Sequence, residues 1–131
     1  MENVAHDTES SGCVSFEHQD NDILFVRYSG DVSLKFIEDN AEFIIDHIEN
    51  GGRRILYDVA ESVPQFSPVS LTDEVRRVGR AANKQARFAY LAPENMFTRH
   101  FMLIEAAAFN DGIQVKFFSD DAAARAWLTS P

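Results

Sequence analysis

The sequence has 131 residues, of which 45% are hydrophobic, and a formal net charge of −9. A chain of this length is expected to form one domain with one core. The negative charge argues against a nucleic-acid backbone or an anionic membrane surface as partner, because both bind clustered cations. The single cysteine, Cys13, rules out an internal disulfide and favours the reducing cytoplasm.

The first twelve residues are polar and acidic, without the cationic start and apolar stretch of a signal peptide. They predict a disordered tail over residues 1–12, followed by a single domain over residues 13–131. The most apolar run, residues 101–109, is interrupted by Glu105 and is too short to cross a bilayer. We therefore expect a cytoplasmic protein that is not inserted in a membrane.

A hairpin and a long helix open the predicted domain. Residues 14–18 and 23–28 are typical of strands, and the turn-forming residues 19–22 join them. The helix is predicted over residues 34–50, with Ser33 or Asp31 as its cap. Its apolar face consists of Leu34, Ile37, Ala41, Ile44, Ile45 and Ile48.

The next segment forms the centre of the predicted fold. The short apolar run 55–59 indicates a strand covered on both faces, as in a parallel sheet flanked by helices. A loop over residues 60–66 then leads to an amphipathic helix, capped by Ser67 or, in the alternative, by Ser70. The apolar stripe of this helix consists of Leu71, Val75, Val78 and Ala82.

Two further strand–helix units complete the chain. Strands are predicted over residues 87–92 and 114–118, and helices over residues 94–110 and from the cap Ser119 onward. The element order is β-β-α-β-α-β-α-β-α, which predicts an α/β fold with a mixed, mostly parallel five-stranded sheet flanked by helices. The helix over 94–110 is apolar around much of its circumference, so we expect core, a subunit interface or a ligand groove against it.

The sequence contains no catalytic or metal-binding signature, so we expect no metal and no cofactor. The four histidines, His6, His18, His47 and His100, show no pair at metal-ligand spacing. Asp58 with Glu61 would be a candidate acid and base, although a loop carboxylate at a strand end more often accepts backbone hydrogen bonds. We predict a protein that is not an enzyme, and an enzyme using Asp58 or His100 is the weakest alternative.

Three segments carry a family resemblance: ILFVRYSGDVS before the first helix, RRILYDV before the central loop, and KFFSDDAAARAWL at the end. Together with the element order, they resemble the SpoIIAA-like branch of the STAS (sulfate transporter and anti-sigma factor antagonist) superfamily over residues 14–129. The resemblance implies a regulatory or ligand-sensing module. Anti-sigma factor antagonists carry a phosphorylatable serine in an Asp-Ser-Ser-Gly motif at the central helix, and this motif is absent from residues 66–70.

We therefore predict a non-enzymatic STAS-like regulatory or protein-interaction domain that forms a homodimer and contacts an unknown protein near residues 58–77. The alternative is a carrier or sensor of a small hydrophobic molecule or lipid, held between the sheet and helix 94–110. The candidate partner or ligand surface comprises Asp58, Phe66, Ser67, Ser70, Arg76, Arg77, Phe97 and Phe101. Within it, the two arginines are expected on a solvated face or, in the alternative, on a contact surface.

Overall fold

The computed structural model describes residues 2–81, 85–96 and 99–131. The strands are β1 (Glu2–His6), β2 (Cys13–Gln19), β3 (Ile23–Val32), β4 (Arg54–Pro64), β5 (Arg87–Leu91) and β6 (Gln114–Phe118). The helices are α1 (Leu34–Glu49), α2 (Pro68–Ala81), α3 (Arg99–Asn110) and α4 (Asp121–Thr129), with short 3-10 turns at Asp20–Asp22 and Glu94–Met96. None of the described helices has the length and hydrophobicity needed to cross a membrane.

The described strands form one mixed sheet in the order β1-β2-β3-β4-β5-β6. The pairs β1–β2 and β2–β3 are antiparallel, whereas β3, β4, β5 and β6 run parallel to one another. The predicted α/β architecture, with its hairpin and helical crossovers, is thereby confirmed.

The predicted count of five strands is wrong because β1 adds a sixth. It pairs with β2 from Glu2 opposite Glu17 to His6 opposite Cys13, so part of the predicted disordered tail is a strand. Backbone hydrogen bonds to β2 hold this short edge strand, which is mostly polar and therefore gives little hydrophobic pattern in the sequence.

The turn after β1 is tied to the start of α1 by Asp7. The Asp7 carboxylate accepts hydrogen bonds from the backbone of Ser33 and Glu9, both at 2.9 Å, and from the Ser10 hydroxyl at 2.8 Å. Burial opposes the charge of this group, but these hydrogen bonds keep the pKa of Asp7 below its ordinary value. Ser33 in turn caps α1, as predicted, by accepting from the backbone of Phe36 at 3.2 Å.

Strand β4 is the interior strand that the sequence predicts, lying between β3 and β5 with Ile55 and Leu56 fully buried. The predicted loop over residues 60–66 is wrong, because β4 continues to Pro64. This extension pairs only with the far end of β3, beyond a register shift at Arg27, whereas β5 pairs with β4 no further than Asp58. The longer strand carries the chain past the end of β5 before α2 begins.

Helices cover both faces of the sheet. The larger core lies between one face and the helices α1, α2 and α3, and includes Leu24, Val26, Ile44, Ile55 and Ile104. The smaller core lies under α4 and contains Ile23, Phe25, Leu56, Ala89, Ala124 and Leu128.

The cap of α4 is Asp120 rather than the predicted Ser119. Its carboxylate accepts a hydrogen bond from the backbone of Ala123 at 3.0 Å. A charged acceptor at a helix N-terminus is stabilised by the helix dipole, which favours Asp120 as the cap.

Gly79 sets how closely α2 packs against the segment between α3 and β6. A Cβ atom at this position would meet the side chain of Ile113 at less than an allowed contact distance. Both residues are buried, so the Ile113 side chain has little room to move away. The glycine is therefore a packing requirement in an otherwise regular helix.

We expect Gly79→Ala to lower the free energy of unfolding by about 1 kcal/mol. Overpacking costs about 1–3 kcal/mol, and the better helix propensity of alanine returns up to about 1 kcal/mol. Urea denaturation measures this change. In an Ile113→Ala background the clash is absent, so Gly79→Ala should become neutral or stabilising; an equal loss in both backgrounds would contradict the packing explanation.

Candidate functional site

An apolar pocket of about 80 Å³ lies between the sheet and the helices of the larger core. Its floor is formed by Tyr28, Tyr57, Phe88, Tyr90 and Val115, which point from β3, β4, β5 and β6 toward the helices. Residues of α1, α2 and α3 cover it, and Ser62, Pro64 and Phe66, which are partly or fully exposed, mark its mouth. The pocket therefore exists because β4 runs past β5 before the chain crosses to α2.

Tyr57 and Tyr90 of the floor belong to a ladder of aromatic rings at matching positions of neighbouring parallel strands. Tyr57 lies beside Tyr90, and Tyr90 beside Phe117, in the strand register. The ring centroids are 4.5 Å apart in the first pair and 4.9 Å apart in the second, and both pairs are stacked. Phe101 of α3 continues the ladder, with its ring centroid 4.6 Å from that of Phe117. Such pairs add rigidity to the wall beyond their apolar burial.

A buried carboxylate, Glu74, joins this apolar lining from α2. Its residue is 8% exposed, and among the described residues it is the buried charged group. Arg77 binds it with two hydrogen bonds, from Nε to Oε1 at 3.0 Å and from Nη2 to Oε2 at 3.1 Å. The same guanidinium donates to the Glu42 carboxylate at 2.6 Å and to the backbone carbonyl of Glu38 at 3.1 Å. Arg77 thus clamps α1 to α2 and neutralises the charge of Glu74.

The three tyrosines of the pocket are held in their protonated form. Burial raises the pKa of Tyr28, Tyr57 and Tyr90, and the nearby negative charge of Glu74 raises each further. The three tyrosines and Glu74 all line the pocket. At neutral pH the tyrosine side chains therefore carry neutral hydroxyls, each able to donate and to accept a hydrogen bond.

The structure brings two of the predicted site residues to this pocket, because Phe66 and Phe101 both line it. Phe97 lies outside the described residues, as does the side chain of His100. Ser67 acts as a helix cap: its hydroxyl accepts from the backbone of Ser70 at 3.4 Å and lies 3.1 Å from the Ser70 hydroxyl. Both serines therefore have a local structural role at the start of α2.

Asp58 lies on the sheet face opposite the pocket, because its neighbour Tyr57 points into the pocket and strand residues alternate. Its carboxylate accepts from Arg27 Nε at 3.2 Å and from the backbone of Ala60 at 3.1 Å. This arrangement stabilises β3 against β4 beside the register shift. Glu61 is exposed and takes no part in these contacts, so the geometry does not favour the two carboxylates as an acid and base pair.

The two adjacent arginines of the predicted surface both form ion pairs within the chain. Arg76 Nε lies 2.8 Å from the Asp111 carboxylate, on the turn after α3. Arg77 is engaged by Glu74 and Glu42 as described above. Neither guanidinium is freely solvated. The two differ in their partners, because Arg77 pairs with the buried Glu74 whereas Arg76 pairs with the half-exposed Asp111.

Two histidines that are distant in the sequence meet in the fold. The rings of His18 on β2 and His47 on α1 have centroids 5.4 Å apart. Burial, together with the nearby His18, lowers the pKa of His47 below its ordinary value. In the described part of the chain, no group of three or more His, Cys, Asp or Glu side chains is arranged to hold a metal ion.

These features define an α/β domain with a mixed sheet, three helices over the face that holds the pocket and one helix over the other. The family model described as SpoIIAA-like matches residues 23–129. The chain belongs to the SpoIIAA-like family, which confirms the resemblance seen in the sequence. Among curated proteins, none matches this chain.

Solved structures share this fold at low sequence identity. An anti-sigma factor antagonist from Mycobacterium paratuberculosis has a TM-score of 0.65 and 12% identity, over 96% of this chain and 100% of that chain. The anti-sigma factor antagonist SpoIIAA in its unphosphorylated form has a TM-score of 0.64 and 13% identity, over 90% of this chain and 99% of that chain. A protein from Shewanella loihica PV-4 with a SpoIIAA-like fold has a TM-score of 0.59 and 17% identity, over 98% of this chain and 95% of that chain.

We expect Arg77→Ala to destabilise the protein much more than Arg76→Ala, although the two residues are neighbours. Removing Arg77 leaves Glu74 buried without its cation, which should lower the free energy of unfolding by about 2–3 kcal/mol, allowing for partial solvent access to the guanidinium. Removing Arg76 breaks a pair between half-exposed side chains, at a cost below about 1 kcal/mol. Chemical denaturation of both variants measures the difference.

The double variant Arg77→Ala/Glu74→Gln provides the control. Because the glutamine is uncharged, it should recover part of the stability that Arg77→Ala loses. Equal losses for the two arginine variants, or no recovery in the double variant, would show that Glu74 does not depend on Arg77.

Proposed function

We propose that this chain is a non-enzymatic regulatory domain that acts by binding another protein at the junction of β4 and α2. Membership of the SpoIIAA-like family supports a regulatory role. Two of the similar structures are described as anti-sigma factor antagonists, a name that denotes action on a protein. An anti-sigma factor is therefore a candidate class of partner. The single Cys13 favours the cytoplasm as the site of action.

The observation that carries the proposal is the exposure of apolar side chains at this junction. Val63 is 54% exposed at the end of β4, and Val69 is 73% exposed in the first turn of α2. Gln65 and Ser67, also exposed, lie between them. Exposed apolar groups rimmed by small polar residues are typical of protein contact surfaces. We call Val63, Gln65, Ser67 and Val69 the junction surface.

The junction surface refines the surface predicted from the sequence. It retains Ser67 but leaves out Asp58, Arg76 and Arg77, whose side chains are engaged within the chain. Reversing the two arginines would therefore disturb the fold as well as any partner. Substitutions at exposed valines avoid this difficulty because these side chains support little of the core.

We expect a photo-crosslinking residue placed at position 69 to capture a defined protein in cells that produce the chain. The matched control is the same residue at Val4 of β1, which is also half-exposed but lies on the edge strand, three strands away from β4. Mass spectrometry of the adducts gives the readout. A Val63→Glu substitution should abolish the adduct at position 69 without lowering the melting temperature.

Equal adducts at positions 69 and 4 would mean that capture is non-specific. A complete absence of adducts at position 69 would contradict the proposed surface. Retention of the adduct after Val63→Glu would separate Val69 from the rest of the junction surface and would also count against the proposal.

We also propose that the chain forms a homodimer through the outer face of α3. Three large apolar side chains are exposed there, namely Met102, Leu103 and Phe109. Phe109, at the end of the helix, is 82% exposed. Aromatic and methionine side chains are enriched in interface cores, and a patch of this kind is best covered by a partner.

We expect Phe109→Glu to convert the dimer to a monomer without loss of thermal stability, because this side chain contributes little to the core of one chain. Size-exclusion chromatography with light scattering measures the mass of each species. Val4→Glu, on the distant β1, should leave the dimer intact. A wild-type chain that stays monomeric at millimolar concentration would rule out the homodimer.

A further inference from the structure

The pocket under α1 and α2 contains more polar chemistry than a protein core needs. Tyr28, Tyr57 and Tyr90 are 3%, 6% and 9% exposed, so all three are more than nine-tenths buried. All three line the pocket, together with Glu74 of α2. Ligand pockets are typically apolar cavities lined by a small number of polar groups, which is the composition seen here.

The charge around the pocket limits which molecule can enter it. Glu74 is the charged residue in the described lining, which contains no lysine, arginine or histidine. The nearby guanidinium of Arg77 already faces two carboxylates, those of Glu74 and Glu42. An anion would therefore meet excess negative charge in a poorly solvated site, whereas a neutral or cationic hydrogen-bond donor would find acceptors.

The size of the pocket also limits which molecule can bind there. Its volume of about 80 Å³ is roughly half that of a cavity of about 150 Å³ that takes benzene. Only part of a ring-sized molecule is enclosed, and the rest must occupy the mouth beside Ser62, Pro64 and Phe66. The aromatic side chains of the floor provide contacts for an apolar ring. A long acyl chain has no comparable space.

We propose that this pocket is a binding site for a small aromatic or cyclic molecule that carries one hydroxyl or amine group and no negative charge. The apolar part lies on the floor of Tyr57 and Tyr90, and the polar group meets Glu74 and the tyrosine hydroxyls. This assignment narrows the alternative of a hydrophobic ligand or lipid that the sequence left open, because it excludes anionic lipids. It is independent of the partner proposed for the junction surface.

Three probes of nearly equal shape test the charge preference: benzyl alcohol, benzylamine and benzoate. Each is titrated into the full chain labelled with ¹⁵N, and amide shifts are followed by NMR. We expect saturable shifts at Tyr57, Tyr90 and Glu74 with the alcohol and the amine, and at least tenfold weaker binding of benzoate. Absence of binding by all three at 10 mM (about −2.7 kcal/mol), or benzoate binding as tightly as the others, would overturn the proposal.

A cavity-filling variant locates the site. Ala41 of α1 lines the pocket, and Ala41→Leu should weaken binding of benzyl alcohol at least tenfold. The matched control is Ala126→Leu on α4, an exposed alanine on the other side of the sheet, which should bind as the parent does. Circular dichroism and melting curves establish that both variants are folded. Unchanged binding by a folded Ala41→Leu variant would overturn the assignment.

Two conservative variants test the polar contacts. Glu74→Gln should reduce the preference for benzylamine over benzyl alcohol, because it removes the charge without changing the shape. If that variant does not fold, Tyr90→Phe replaces it, since it keeps the ring of the ladder and removes one hydroxyl; weaker binding of benzyl alcohol is then expected. An unchanged preference for benzylamine in Glu74→Gln, or an unchanged affinity for benzyl alcohol in Tyr90→Phe, would show that these polar groups do not recognise the ligand.

Discussion

The carboxylate of Glu74 lies on the apolar face of α2, where a charge without a partner would be strongly destabilising. Arg77 makes its burial possible by donating two hydrogen bonds, and Glu42 and the backbone of Glu38 fix the guanidinium from α1. An apolar residue at position 74 would fill the same face without any such network. The network therefore fixes α2 against α1 beside the pocket without adding much net stability.

The position of the pocket follows from the order of the strands. The parallel strands β3, β4, β5 and β6 are neighbours in sequence order, so each crossover leads in the same direction across the sheet. Right-handed crossovers in one direction put their helices on one face, here α1, α2 and α3. Among the described strands there is thus no reversal of order that would open a crevice at the edge of the sheet. The cavity instead lies beneath the helices, where β4 outruns β5.

Much of the fold could be predicted from the sequence because its signals are local. The apolar run at residues 55–59 correctly predicted the interior strand β4. The apolar stripe of α1 correctly predicted a helix that packs on the sheet. The β1 strand and the extension of β4 to Pro64 were missed, since backbone pairing with a neighbouring strand leaves no hydrophobic pattern. Phe66 and Phe101 were included in the predicted partner or ligand surface, although the pocket that they share was not predicted.

The tyrosines and Glu74 were missed because their meeting depends on strand register. Glu74 falls between Leu71 and Val78 on the apolar stripe, so helical spacing alone could have marked it as buried. Tyr57 and Tyr90 become neighbours only when β4 and β5 are aligned, which the sequence does not specify. Helix α2 then links the two proposed sites, because Glu74 contributes to the pocket and Val69 stands on the junction surface one and a half turns earlier. A displacement of this helix would therefore alter both surfaces together.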